Sequence, residues 1–162
     1  KYMSNQIEIM KEVIKESGLN VPELHIDEWN FTVSNRNVIN DSCEQAAYII
    51  KNCMDVSDRV NLMAYWHALD TYSYYYDTDC VLNGDSGLIT GDGICKPSFF
   101  AFWFLNRIQS NLLKKTAHAM VTGNGRNNYT IVCHNYKKLT SRYVFSEENG
   151  KISINIPMMK TL

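Results

Sequence analysis

The chain has 162 residues and a mass of 18.7 kDa, the size of one ordinary domain with room for a core. Apolar residues make up 45%, charged residues 20%, and the formal net charge is −1. With 3 Trp, 10 Tyr and 6 Phe to bury, this is not a disordered chain; nor does it carry the basic field of a nucleic-acid binder, or an apolar run near the ~18 residues of a membrane span.

Residues 4–17 predict an amphipathic helix, with Ile7, Met10 and Ile14 on one face and Glu8, Lys11, Glu12 and Lys15 on the other. Gly18 suits the position after a helix, and Pro22 follows. Leu24, Ile26 and Glu28 then alternate with His25 and Asp27, as in a short strand ending at Glu28-Trp29-Asn30. A loop rich in Asn and Ser runs to Asp41. Residues 42–56 predict a second helix with Cys43, Ala46, Ala47, Ile50 and Met54 as its inner stripe. Residues 60–66 read as a mostly apolar strand, buried on both faces. Helix, strand, helix, strand is α/β order and implies a parallel sheet with helices outside.

A long loop follows from about His67 to Cys95, rich in Tyr, Asp and Gly, and loops of that length are usually functional or mobile. Pro97 opens a third helix at the favoured first position. Phe99, Phe100, Phe102, Trp103, Phe104, Leu105 and Ile108 make it apolar nearly all round, so it needs cover on more than one side. After Leu113 the pattern becomes β. Residues 117–122, 129–135, 141–145 and 151–156 read as strands, joined by turns at 123–128 and 147–150. This predicts a β-meander forming part of a sandwich, with a boundary near 113–116.

The five cysteines, Cys43, Cys53, Cys80, Cys95 and Cys133, are odd in number and form no C-x-x-C. Reduced thiols in a cytoplasm are the simpler expectation. Sequons at Asn30, Asn40 and Asn128 matter only in a secreted protein. The start at Lys1, without Met, suggests a piece of a longer protein.

Glu28 is the most informative residue. A carboxylate at the C-terminal end of a parallel strand, beside an indole and an amide, suits a sugar site. The carboxylate can attack an anomeric carbon, the ring can stack on the sugar, and the amide can hold hydroxyls. The plainer alternative is an exposed Glu at a strand end. Tyr65-Trp66-His67 would end the next strand at the same mouth, or cap the core. Asp70, Asp77 and Asp79 lack Ca²⁺-loop spacing and read as a solvated loop. His25, His67, His118 and His134 show no metal-ligand spacing and read as structural. Gly84, Gly87, Gly91 and Gly93 form neither a dinucleotide fingerprint nor a P-loop. The aromatic cluster at 99–104 reads as core.

Together these residues resemble the C-terminal part of glycoside hydrolase family 39, which includes β-xylosidases and α-L-iduronidase. Ile26-Asp27-Glu28-Trp29-Asn30 resembles the family's nucleophile strand, the seventh of a (β/α)₈ barrel. Ser34-Asn35-Arg36-Asn37 and Asn40-Asp41 resemble the loop that follows it. Ala64-Tyr65-Trp66 through Asp70 resembles the eighth strand and its ending. Gly87-Leu88 and Lys96-Pro97-Ser98-Phe99-Phe100 resemble the segment opening the last barrel helix. The likeness covers roughly residues 20–136.

The resemblance implies a retaining hydrolase acting on xylosides, with Glu28 as nucleophile, Trp66 stacking on the sugar, and Asp70 and Asn83 helping to line the pocket. It implies no metal or organic cofactor, since two carboxyl groups suffice. The family's acid/base lies in an Asn-Glu-Pro on the fourth strand, and no Asn-Glu-Pro occurs here. Residues 1–113 would then be the last two strand–helix units of a barrel, and 114–162 part of a flanking β-sandwich. A full barrel needs about 200 residues or more. The expected partners are a carbohydrate ligand, the rest of the barrel and, through open sheet edges, further copies of the chain; neither nucleic acid nor membrane is expected, and the location is a bacterial cytoplasm.

Three departures stand out. Asp27 replaces the usual Thr or Ser before the nucleophile, Asn83 replaces a His, and the Tyr-rich stretch 72–76 replaces a more acidic one. Residues 34–43 and 133–137 also resemble a subgroup in which a family-39-like region follows an AraC-type helix-turn-helix. There the barrel would sense a sugar without cleaving it.

Overall fold

In this computed structural model, residues 2–34, 36–71, 80–138, 151 and 153 are described. Outside them lie Asn35, the Tyr-rich stretch 72–76, Asp77, Asp79, the expected strand 141–145, the turn 147–150 and all but two residues of the expected strand 151–156. Helix α1 spans Tyr2–Ser17, strand β1 His25–Trp29, a 3-10 turn Val38–Asp41, α2 Cys43–Val56, β2 Leu62–Tyr65 and α3 Pro97–Leu105. Strands β3 (Asn111–Lys115), β4 (Ala119–Gly123) and β5 (Tyr129–Cys133) follow. β1 and β2 pair in parallel, and β3–β4–β5 form an antiparallel sheet. Parallel neighbours need a crossover, and α2 supplies it.

Local chemistry explains the ends. Gly18 takes φ +67°, a left-handed turn that releases the chain from α1. Ser42 caps α2 by accepting from the Gln45 amide, a bond type worth ~1 kcal/mol. Pro97 stands in the first turn of α3, where its missing N–H costs nothing.

The core is built on α2. Trp29 of β1, Ile49 of α2 and Ala101 of α3 are buried together, with Ile26, Met63, Tyr65 and Phe102 around them. Met54 at the other end of α2 packs with Met120 and Val132 of the antiparallel sheet. Ile50 and Leu105 touch both clusters, so the two sheets share one helical spine.

Packing corrects several expectations. Of the expected inner stripe of α2, Met54 is buried and Ala46 and Ile50 pack against the core, but Cys43 is exposed and Gln45 and Asn52 are buried as well. The polar pair defeats a pattern read from apolar residues alone. In α1 Ile7 is buried but Met10 is exposed, because only one turn of the helix reaches the core. β2 is four residues long with Leu62 exposed, since β1 is its sole strand partner among the described residues. α3 buries only its small residues Ser98 and Ala101, which let it approach α2 closely; Phe100, Trp103 and Phe104 stay 44–50% exposed. The expected cover on more than one side is absent among the described residues.

The antiparallel sheet starts earlier than expected. β3 runs through the position of the expected boundary, and its apolar residues Leu112 and Leu113 are exposed, which hides it from a burial pattern. β4 and β5 match the expected meander. Met120 faces Val132 and Thr122 faces Thr130 on the inner side. Among the described residues no disulfide joins any of the five cysteines. Among the described residues no helix is long and apolar enough to cross a membrane.

Candidate active site

Both parallel strands deliver their C-terminal ends to one cleft of about 690 Å³. Glu28, Trp29, Asn30 and Phe31 line it from β1, Trp66 and His67 from β2, and Thr71, Asp85 and Ser86 from the loop beyond. Glu28 sits in a bulge. Ile26 pairs with Met63 and Trp29 with Tyr65, so three steps on β1 oppose two on β2. The extra residue breaks strand alternation and leaves both Asp27 and Glu28 exposed while Ile26 and Trp29 face the core. Simple alternation, which would set Asp27 and Glu28 on opposite faces, does not hold there.

Asn30 stitches the two strand ends together. Its side-chain amide donates to the Trp66 carbonyl, and its Oδ1 accepts from Gln45 Nε2 at 2.9 Å and Tyr65 OH at 3.3 Å. Gln45 Nε2 also lies 2.6 Å from the Tyr65 hydroxyl. Burial pushes the Tyr65 hydroxyl up to about 12, so it remains a proton donor. The Trp66–His67 peptide is cis, and the indole stacks on the imidazole at 5.2 Å and 26°. Trp66 keeps 53% of its surface exposed, a flat apolar face at the cleft.

Asp70 and Asn83, expected in the pocket, are not among the described residues that line this cleft. Asp70 is buried, and Lys96 Nζ donates to its two oxygens at 2.8 and 2.9 Å. It is not part of a solvated loop. Lys96 also lies 2.7 Å from Asp41 Oδ1 and donates to the Asp85 carbonyl at 2.8 Å. Burial raises the Asp70 pKa, and Lys96 opposes that shift. Asn83 Oδ1 accepts from the Asp85 amide at 3.0 Å. Both residues therefore shape the loop that carries Asp85.

The stretch 67–96 is laced rather than open where it is described. Leu69 bridges Ile89, and Ile89 bridges Cys95. Gly84, at φ +77°, lies against Asn37, whose amide donates to the Gly84 carbonyl at 3.0 Å. The sequence had no signal for Lys96 beyond its place before Pro97, nor for Asp85. Their partners lie up to 55 residues away in the chain, and no local pattern encodes such pairing. Among the described residues no group of three or more His, Cys, Asp or Glu could hold a metal.

An exposed carboxylate, an indole face and a held amide at the ends of two parallel strands can perform chemistry at a sugar's anomeric carbon. The family model of glycosyl hydrolases family 39 matches residues 1–147. The chain belongs to that family. A β-xylosidase of Geobacillus stearothermophilus is 30% identical over 120 residues, 74% of this chain and 24% of that protein. A β-xylosidase of Caldicellulosiruptor saccharolyticus is 28% identical over 92 residues, 56% and 19% of the two chains. The crystal structure of a monomeric β-xylosidase from Caulobacter crescentus CB15 superposes with a TM-score of 0.76 at 26% identity, over 86% of this chain and 28% of that one. This chain thus spans about a quarter of the length of the curated relatives it matches.

Proposed function

We propose that this chain is the C-terminal part of a retaining glycoside hydrolase acting on β-xylosides, with Glu28 as nucleophile. Residues 1–113 would supply two strand–helix units of a (β/α)₈ barrel, and 114–162 the start of a β-sandwich. The observation that carries this reading is the exposed Glu28 at the end of β1, beside Trp66 at the end of its parallel partner. Family membership and the β-xylosidase relatives support it.

In this reaction a Glu28 oxygen attacks the anomeric carbon as the bond to the leaving oxygen breaks. A second carboxyl group, about 5–5.5 Å away, gives its proton to that oxygen and later takes one from the water that releases the sugar. Among the described lining residues the only other carboxylate is Asp85, which already accepts from the Thr71 and Ser86 amides at 2.8 and 2.7 Å. In this reading the acid/base comes from another part of the barrel. Trp66 offers the stacking face, while Asp70 and Asn83 act from behind by holding the loop that carries Asp85.

In the full-length protein, Glu28→Gln should lower hydrolysis of p-nitrophenyl β-D-xyloside by on the order of 10⁴-fold. The melting temperature should change little, because Glu28 is exposed. Undiminished turnover in the variant would reject the nucleophile. A wild-type protein that binds xylobiose without cleaving it would instead mark a sugar sensor, in which Glu28 only holds a hydroxyl.

A further inference from the structure

We propose that His67 and Asp85 are a positioning pair for Trp66, holding the indole flat as the cleft's sugar platform. This rests on the reading of the cleft as a xyloside site. A half-exposed tryptophan at a cleft mouth can occupy several rotamers, and each sugar that binds must first overcome that freedom. Here the freedom is removed from below. The His67 ring lies against the indole at 5.2 Å and 26°, nearly parallel. His67 Nε2 in turn lies 3.6 Å from Asp85 Oδ1.

Asp85 is itself fixed on every side. Its side chain is 5% exposed, and its carboxylate accepts from the Ser86 and Thr71 amides at 2.7 and 2.8 Å. Its own amide donates to Asn83 Oδ1, and its carbonyl accepts from the buried Lys96 at 2.8 Å. A carboxylate that is taken out of water and anchored so firmly must compensate its desolvation. The Thr71 and Ser86 amides do so, and the imidazole packs beside the carboxylate they hold and under the indole. The order of support runs from Lys96 to Asp85, to His67, to Trp66, and only the last presents a broad face to the cleft. The pair is thus a device for binding, and its effect should fall on sugar affinity more than on the bond-breaking step.

The test is xylobiose titration of the full-length protein, followed by tryptophan emission, together with kinetics on p-nitrophenyl β-D-xyloside. Trp66→Phe should abolish most of the emission change; an unaltered change would overturn the platform. His67→Ala should weaken xylobiose binding about tenfold, the scale of one lost aromatic pair. KM should rise by a similar factor while kcat changes less. His67→Phe restores a flat ring without the contact to Asp85 and should recover part of the affinity. Asp85→Asn keeps an acceptor oxygen and should weaken binding less than Asp85→Ala.

A role confined to folding would lower the melting temperature of these variants and leave their affinity intact, which would overturn the proposal. If His67→Ala does not fold, unchanged affinity in both His67→Phe and Asp85→Asn overturns it equally. A wild-type protein that neither binds nor cleaves the two probes removes the xyloside reading and this one with it. A wild-type protein that binds, with variants that bind as well, removes this one alone.

Discussion

Single side chains carry distinct burdens in this fold. Glu28 owes its exposure to one extra residue in β1, so deleting that step would turn it toward the core or move Trp29 out of it. His134 shows the opposite situation, a titratable ring drawn inward. Its Nδ1 accepts from the Tyr136 amide at 3.1 Å, and His118 lies 5.4 Å away. Burial, then the charge of His118, holds its pKa below the ordinary 6.5. The unfolded chain therefore binds the proton more readily than the folded one. The stability His134 contributes is complete above about pH 6.5 and is lost as pH falls through its depressed native value. Urea denaturation across pH 7.5 to 5, roughly, should show falling stability in the wild type and a shallower fall in His134→Phe. Equal slopes would assign the acid sensitivity to another group.

At the scale of elements, Lys96 locks three segments behind the cleft. It is 1% exposed and touches Asp41 at the end of the 3-10 turn, Asp70 after β2 and the Asp85 carbonyl. Breaking such a cluster from one side strands charge in the interior. Lys96→Met should cost about 3–5 kcal/mol at neutral pH in chemical denaturation. With the cation gone, burial acts on Asp70 unopposed by Lys96, and its carboxyl would hold a proton more tightly when folded than when unfolded. The penalty should then shrink as pH falls toward the ordinary carboxylate value of 3.8. A penalty independent of pH would mean that lost packing, not stranded charge, is the cause. Gly87 secures the same junction sterically. A Cβ there would stand 2.3 Å from the Asp70 amide nitrogen and 2.5 Å from the Leu69 carbonyl carbon. Gly87→Ala must shift that backbone, so both stability and the cleft behind Trp66 should suffer.

For the molecule as a whole, the decisive feature is how much apolar surface its described part leaves open. Phe100, Trp103 and Phe104 on α3, Ile9, Met10 and Val13 on α1, and Leu62 on β2 are all exposed. An apolar groove of about 390 Å³ also runs between α2 and α3, from Cys43 and Ala46 to Phe100 and Phe104. Soluble domains rarely leave this much uncovered, and a two-stranded sheet is marginal alone. Purified by itself, the 162-residue chain should self-associate, and light scattering after gel filtration should give a mass above one copy. A single copy with a sharp, cooperative melt would show that the described core is sufficient. Further parallel strands on either side of β1 and β2 would close the sheet that the family's longer members have room for.

The sequence by itself determined the order of elements through α3, the three helices and the family. Periodicity, the cap residues and the spacing of Glu28, Trp66 and Lys96-Pro97 are local or linear properties, and they survive without knowledge of packing. The strand ends that meet at the cleft were legible for the same reason, since parallel order sends both C-terminal ends one way. Only the tertiary structure decided which residues share the site. The bulge at Glu28 depends on register with β2, the Lys96 cluster on loops far apart in the chain, and the His67–Asp85 contact on the folding back of 83–87. The polar part of α2's inner face was hidden because Gln45 and Asn52 are buried polar residues with partners, Tyr65 and the Tyr48 carbonyl, found only by hydrogen bonding. Burial and pairing are properties of neighbours in space, and a linear pattern carries no record of who those neighbours are.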